Sequence, residues 1–276
     1  MDMAFLELHN VSKSYPAPQG RTEVLRSIDL TVDESEFVVI VGYSGSGKTT
    51  LISLIAGLIS PDTGTLRLNG VPITGPGPER GMVFQNYSLL PWFTVFENIY
   101  LAVDAIAPHL STAEKRQRTT QWVRLVHLDH AMSRRPHELS GGMRQRVAVA
   151  RGLAMDPKLL LMDEPFSALD ALTRATLQDE LARIWLEQRK TVVMITNDIE
   201  EAILLADWIY PLTPGPGATL GPGIPVTIPR PRVGRHLSLD PAYQQVRREL
   251  TEFLLTARRG NQTTVITNVP PVEVEV

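Results

Sequence analysis

The chain has 276 residues, 27 Lys and Arg against 30 Asp and Glu, a formal net charge of −3 and no cysteine. Disulfides and thiolate metal centres are therefore excluded, and the mildly acidic balance argues against a nucleic-acid partner, which needs a basic face. A hydrophobic content of 43% supports a substantial core in one large domain or two small ones. No apolar run reaches the roughly 18 residues of a membrane span, and the start, with Asp2 and Glu7, does not read as a secretory signal.

Residues 1–88 alternate short strands with Gly/Pro turns. Phe37 to Val41 reads as a buried strand and Lys48 to Leu58 as a helix. Between them GYSGSGKTT (42–50) fits the pattern G-x-x-x-x-G-K-[ST] in the strand-to-helix context that the pattern requires. Gly42, Gly45 and Gly47 can take backbone angles closed to other residues and let the main chain approach a phosphate. With Tyr43, Ser44 and Ser46 they form a loop whose N–H groups, at the positive end of the following helix, cradle an anion. Lys48 is expected to reach the β- and γ-phosphates of a nucleoside triphosphate and the Thr49 hydroxyl to ligate Mg²⁺, while Thr50 either joins the site or packs.

Residues 89–157 are rich in helical patterns. Ala113 to Leu128 is an amphipathic helix capped by Ser111 or Thr112, and Met143 to Ala154 is a helix entered through the small-residue loop Ser140-Gly141-Gly142, a second anion-binding geometry. Lys158 to Met162 is an apolar strand ending in Asp163 and Glu164, before Pro165. Neighbours on a strand face opposite ways, so Asp163 is expected to hold the Mg²⁺ shell and Glu164 to polarise an attacking water. Leu172 to Gln188 and Ile199 to Ala206 read as helices within the strand–helix–strand segment 158–210. From Pro211 to Pro231 the proline and glycine content predicts an extended strap without regular structure. A last helix, Pro241 to Arg258, carries Leu250, Phe253 and Leu254 as an apolar stripe that is expected to dock on the protein's own core, and the tail TNVPPVEVEV is expected to fray.

The run LSGGMRQR at 139–146 resembles the signature motif of ABC-type ATPases, and the stations between residues 15 and 198 follow that family's order. The resemblance implies an α/β fold: a P-loop NTPase (RecA-like) core with an antiparallel β subdomain, formed by 1–88 and 158–210. It further implies a helical subdomain insertion at 89–157, leaving 211–276 as a Pro/Gly-rich C-terminal extension with a terminal helix. It implies ATP and Mg²⁺ as cofactors, Tyr15 stacked on adenine, and Gln85 sensing Mg²⁺ and the γ-phosphate as a third member of the metal set with Thr49 and Asp163. Ser140, Gly141 and Gly142 would touch the ATP of a partner subunit in a head-to-tail dimer, and the Ser167–Asp170 loop would carry each subunit's state to the other.

One station departs from the family pattern. Asn197 stands where the family places a γ-phosphate-contacting histidine, and asparagine can donate a hydrogen bond but neither carry charge nor shuttle a proton. Two readings stay open: the chain's own site is impaired, or Glu164 suffices and Asn197 positions water.

At a finer level FQNYSLLPW, the Asn197 segment and IPRPR resemble the ATPase subunits of nitrate, bicarbonate and sulfonate importers, above all the short single-cassette ATPase of cyanobacterial-type nitrate or bicarbonate systems. That resemblance implies a peripheral address on the cytoplasmic face of the plasma membrane. It implies a second, longer ATPase subunit as partner, an integral-membrane permease received near Leu90, Trp92 and Phe93, and an extracytoplasmic solute-binding protein engaged indirectly. A non-hydrolytic regulatory subunit and an importer of sulfonate or taurine-type substrates are the alternatives.

Overall fold

The computed structural model describes residues 4–18, 20–232 and 237–266. Its centre is a six-stranded sheet in the order β10-β9-β3-β8-β7-β6. Three of these strands, β3 (Phe37–Gly42), β7 (Leu159–Asp163) and β8 (Thr191–Thr196), are buried at every position. Their sequences FVVIVG, LLLMD and TVVMIT are unbroken apolar runs with little polar alternation, as expected of parallel strands covered on both faces. β6 (Arg80–Val83) pairs with β7, and β9 (Trp208–Leu212) with β3, both in parallel.

The period of two along β3 divides the core. Val38 and Ile40 face Leu51 and Ile55 of α1 (Lys48–Ala56) and a four-stranded antiparallel sheet, β2-β1-β4-β5, formed by β1 (Leu6–Ala17), β2 (Gly20–Val32), β4 (Thr63–Leu68) and β5 (Val71–Pro72). Phe37, Val39 and Val41 face the cluster shared with α2 (Val95–Ile106), α3 (Thr112–Leu125), α4 (Gly141–Ala154) and α5 (Ala171–Gln188). Capping boxes start α2, through Thr94 and Glu97, and α3, through Ser111 and Glu114.

The elements differ from the sequence pattern mainly at their ends. α1 stops at Ala56 rather than Leu58 because Gly57, at φ 76°, turns the chain and donates its N–H to Leu54. α3 stops at Leu125 rather than Leu128, since His127 takes φ 55° and the Leu128 N–H turns back to the Val123 carbonyl. α4 begins two residues earlier than Met143 because Ser140 is its cap. The strap expected from Pro211 to Pro231 is irregular over 213–223 and 226–231, and the correction is confined to two places: Pro211 and Leu212 complete β9, and β10 (Ile224–Pro225) pairs with β9 at the sheet edge. The Pro211 carbonyl accepts from Gly221 N–H at 2.7 Å, beyond the stretch of β9 that β10 covers, and an edge strand tolerates Pro225. Ala218, Ile224, Val226 and Ile228 then bury themselves in the core.

The segment after β10 is held by arginines. Arg230 pairs with Asp207 at 2.8 Å and lies 4.3 Å above the Trp185 ring. Arg232 is buried and donates to the carbonyls of Val226, Ile228, Ile203, Leu204 and Ala206; burial pulls its pKa down to about 10, which leaves it charged at neutral pH. The last helix, α7 (Pro241–Ile266), runs past Arg258 and buries Tyr243, Val246, Leu250 and Leu254, with Phe253 partly covered, against the same core as α6 (Ile199–Leu205). The tail TNVPPVEVEV lies outside the described residues. No helix among the described residues is long and apolar enough to cross a membrane.

Because Leu250 is fully buried under α7, Leu250→Ala is expected to destabilise the chain by about 2–4 kcal/mol. Urea unfolding followed by circular dichroism checks this; an unchanged midpoint would mean that α7 is not part of the cooperative core.

Candidate nucleotide site

The site is assembled where β3, β7 and β8 end and α1 begins. Gly45 and Gly47 take φ of 79° and 94°, and Gly47 caps α1 with no side-chain bond of its own. A Cβ at Gly47 would come within 2.8 Å of Val24 Cγ1 and 3.0 Å of Leu25 Cδ2, so β2 packs directly on the loop. At Gly42 the close neighbours are Ser46 Oγ and Leu212, the end of β9. The Ser46 hydroxyl is buried without a hydrogen-bond partner, an orphaned donor aimed within the loop.

Lys48, buried at 4% exposure, folds back over the loop. Its ammonium donates to the carbonyls of Gly42 at 2.9 Å and Tyr43 at 3.0 Å and lies 3.2 Å from Glu164 Oε1. Thr49 donates its hydroxyl to Asp163 Oδ1 at 3.3 Å. Asp163 sits at the buried end of β7, and burial first, then the neighbouring Glu164 charge, push its pKa up, against the opposing effects of the Thr49 bond and Lys48.

The carboxylate pair splits its directions for a reason other than strand alternation. β7 ends at Asp163, and Glu164 leaves the strand with φ 42°, its N–H held by the Ile195 carbonyl at 3.0 Å. That left-handed turn swings Glu164 toward Lys48 and Gln85. Gln85 Nε2 donates to Glu164 Oε2 at 3.4 Å and to Ser167 Oγ at 3.3 Å.

The remaining expected residues lie around this centre. Tyr43 stacks under Arg258 of α7, whose guanidinium is 5.4 Å from the ring, while Ser44 is exposed and Thr50 half-buried on α1. Tyr15 is half-exposed on β1, one strand removed from the Val24 contact, with the Lys13 ammonium 5.9 Å from its ring. Asn197 is exposed just beyond β8; it lines a cavity of about 200 Å³ with Gly42, Tyr43, Thr251 and Leu254, and its side chain makes no hydrogen bond among the described residues.

Ser140, Gly141 and Gly142 are elsewhere. Ser140 is exposed and caps α4 by accepting from Met143 N–H at 3.3 Å. Gly141 faces Leu169 and Tyr87, and a Cβ at Gly142 would strike Thr173 Cγ2 at 2.5 Å. Among the described residues no hydrogen bond or ion pair joins this loop to Lys48, Thr49, Asp163 or Glu164. Asp170 caps α5, accepting from Thr173 N–H at 3.0 Å, a bond that holds its pKa low.

Two neighbours of the loop carry no readable signal in the sequence. Arg258 reaches Tyr43 from more than two hundred positions along the chain, and Gly215 sits so that a Cβ there would be 3.4 Å from the Gly45 carbonyl. The small residues of the PGPG run at 214–217 permit that close approach, but the same run also suits any exposed turn.

A glycine loop between a buried parallel strand and a helix, a buried lysine inside it and a carboxylate at the end of a second strand define a P-loop NTPase. The profile of the family described as ABC transporter matches residues 25–167, and the chain belongs to the ABC transporter family as one of its ATP-binding cassettes. Among its relatives, the nitrate import ATP-binding protein NrtD of Synechococcus elongatus is 47% identical over 254 residues, covering 92% of this chain and 93% of the relative. The bicarbonate transport ATP-binding protein CmpD of Synechocystis sp. is 47% identical over 251 residues, covering 91% and 89%. The solved post-hydrolysis dimer of the ATP-binding cassette MJ0796, bound to ADP and Pi, superposes with a TM-score of 0.72 at 31% identity, over 81% of this chain and 99% of that one. The nucleotide of this cassette is ATP.

The two left-handed glycines separate strain from crowding. Gly45→Ala meets no atom within 4 Å, so it is expected to cost only the left-handed strain of about 1–2 kcal/mol. Gly47→Ala adds the collision with β2 and is expected to lower the melting temperature further and to abolish ATP binding; equal melting shifts would refute that packing.

Proposed function

We propose that the chain is the ATP-binding and ATP-hydrolysing subunit that powers an importer of a small inorganic anion, nitrate (or nitrite) or bicarbonate. The observation that carries this reading is the 47% identity to a nitrate-import and a bicarbonate-transport ATPase over nine-tenths of the chain. No residue of this subunit touches the anion; its work is a conformational cycle driven by ATP.

The triphosphate enters the loop of Gly42–Gly47, where backbone N–H groups and the orphaned Ser46 hydroxyl receive it, and Tyr15 stacks on the adenine. Phosphate oxygens replace Glu164 and the two carbonyls as partners of Lys48. Glu164, freed from the ammonium, orients and polarises the attacking water, and Gln85, bonded to it, registers the change. Thr49 and Asp163 face each other as two oxygen donors, a set that fits Mg²⁺ sharing its remaining positions with phosphate and water, with Gln85 as a further ligand. The ion neutralises phosphate charge when bound.

The signature loop points to a second cassette. Ser140 stands exposed at a helix N-terminus remote from its own Lys48, so Ser140, Gly141 and Gly142 serve the ATP of a partner, and Asp170 meets that partner's loop. ATP favours closure because it contacts both halves only in the closed dimer. The relatives include the bicarbonate transport ATP-binding protein CmpC of Synechococcus elongatus, of which this chain matches 39% at 49% identity, a chain of the longer type expected as partner. On the helical segment 89–157 a groove of about 920 Å³ lined by Phe93, Phe96, Tyr100 and Arg116, near the exposed Trp92, receives the permease. The subunit works at the cytoplasmic face of the membrane, and the solute-binding protein acts through the permease.

A second reading, an ATP-holding half whose partner does the chemistry, is favoured by Asn197, which makes no bond to Glu164. In the reconstituted complex Lys48→Ala is expected to abolish ATP binding to this chain, whereas Ser140→Arg keeps binding and disables the partner's site. If this chain's site fires, Glu164→Gln lowers turnover about a hundredfold and Asn197→His is neutral; if the site is silent, Glu164→Gln changes little and Asn197→His raises turnover. Uptake of labelled nitrate and bicarbonate by proteoliposomes tests the transported anion, and uptake of neither would overturn the main reading.

A further inference from the structure

One buried carboxylate has no part in this chemistry. Glu201 of α6 is 4% exposed, and no ion pair satisfies it among the described residues. Its Oε1 accepts from Gln178 Nε2 of α5 at 3.1 Å, and its Oε2 accepts from the hydroxyl of Thr196 at the end of β8. Thr196 Oγ1 accepts in turn from the Asp198 N–H at 3.1 Å, so both residues flanking Asn197 are tied into one network. Asp198 Oδ1 caps α6 through the N–H groups of Glu200 and Glu201 at 2.9 and 3.1 Å, and Asp198 Oδ2 lies 3.6 Å from Arg174 Nη1 of α5. α5 in turn begins at the Asp170 cap. Two hydrogen bonds from one side chain thus span the turn that presents Asn197 and the helix that presents Asp170. Burying a carboxyl group costs desolvation that two neutral hydrogen-bond donors offset only in part, so stability alone does not explain its presence.

We propose that Glu201 is a positioning residue that locks the Asn197 turn to α5, so that the γ-phosphate side of this chain's own site and the Asp170 contact to the partner move together. The inference rests on the ATPase reading above. Asp198 and Glu200 on its own turn and helix, Arg174 on α5, and Tyr243 and Arg247 on α7 face the cleft of about 580 Å³ beside it. Burial drives its pKa from 4.5 up to about 7, with the Asp198 charge adding and the Thr196 and Gln178 bonds and Arg174 opposing. Between those values the folded chain keeps a proton that the unfolded chain has lost, so the stability Glu201 contributes is present below 4.5 and lost as pH rises through about 7.

Two measurements test the proposal. In the assembled complex Glu201→Ala is expected to lower kcat about tenfold or more with the KM for ATP little changed, and Glu201→Gln, whose amide can bridge the same partners once the Gln178 amide turns over, restores most of it. Unchanged kcat in Glu201→Ala, or a joint loss of kcat and ATP affinity that Gln does not rescue, would overturn the proposal. If Glu201→Ala does not fold, Gln178→Leu removes only the α5 half of the bridge and is expected to show the same kcat loss; wild-type kcat there also overturns it. Melting of the purified full-length chain needs no turnover. The advantage of Glu201→Gln over wild type is expected to widen as pH rises from about 5 to about 8, and a constant gap overturns the buried seat of Glu201 on which the bridge depends. A wild-type complex without ATPase activity would sink the functional reading, while the melting comparison would still test whether Glu201 is buried between Thr196 and Gln178 as the bridge requires.

Discussion

The structure depends on keeping one positive charge buried. Lys48 is sealed beneath the phosphate loop, where an unpaired ammonium would be prohibitively desolvated. Two loop carbonyls and the Glu164 carboxylate satisfy it, and each partner requires its own distortion. The loop must close tightly enough for the carbonyls of Gly42 and Tyr43 to point inward, which demands left-handed glycines at 45 and 47. Glu164 must leave β7 in a left-handed turn that a non-glycine residue adopts only under constraint. The same compensation explains why the site can respond to a ligand, since any anion that outcompetes Glu164 for Lys48 releases the carboxylate and disturbs its bond to Gln85.

Much of this was legible in the sequence because it depends on local chemistry. The strand Phe37–Gly42, the glycine spacing and the position of Lys48 follow from apolar runs and turn residues alone, and LSGGMRQR marked a second helix N-terminus. The unreadable parts are those set by tertiary partners. The pairing of Glu164 with Lys48 depends on a backbone angle that no residue type announces, and strand alternation gave a reason for the carboxylate split that the geometry does not use. The segment after residue 210 reads as irregular because proline and glycine propensities speak against strands; that holds for most of it, but the edge beside β3 overrode them at 211–212 and at 224–225, and Arg232 recruited five carbonyls that sequence cannot locate.

The C-terminal segment is therefore not an appendage to the nucleotide site. β9 ends beside Gly42, the stretch after it touches Gly45 and β2, and α7 lays Arg258 on Tyr43 and lines the cavity next to Asn197. Arg230 and Arg232 fasten the connection between them to Trp185, Asp207 and the end of α6. The phosphate loop is thus supported on its outer side by residues that the nucleotide-binding motifs do not include.

The strand order also governs how the chain comes to exist. β3, which carries the phosphate loop, lies between β8 and β9, so both of its neighbours are encoded after residue 190. On the ribosome the finished P-loop sequence emerges long before either strand. At roughly 5–20 residues per second, on the order of ten seconds or more pass with its most apolar strand unpaired. Until β8 and β9 are made, β3 has neither of its sheet partners, and an FVVIV strand left open for that interval is the segment a chaperone would be expected to shield.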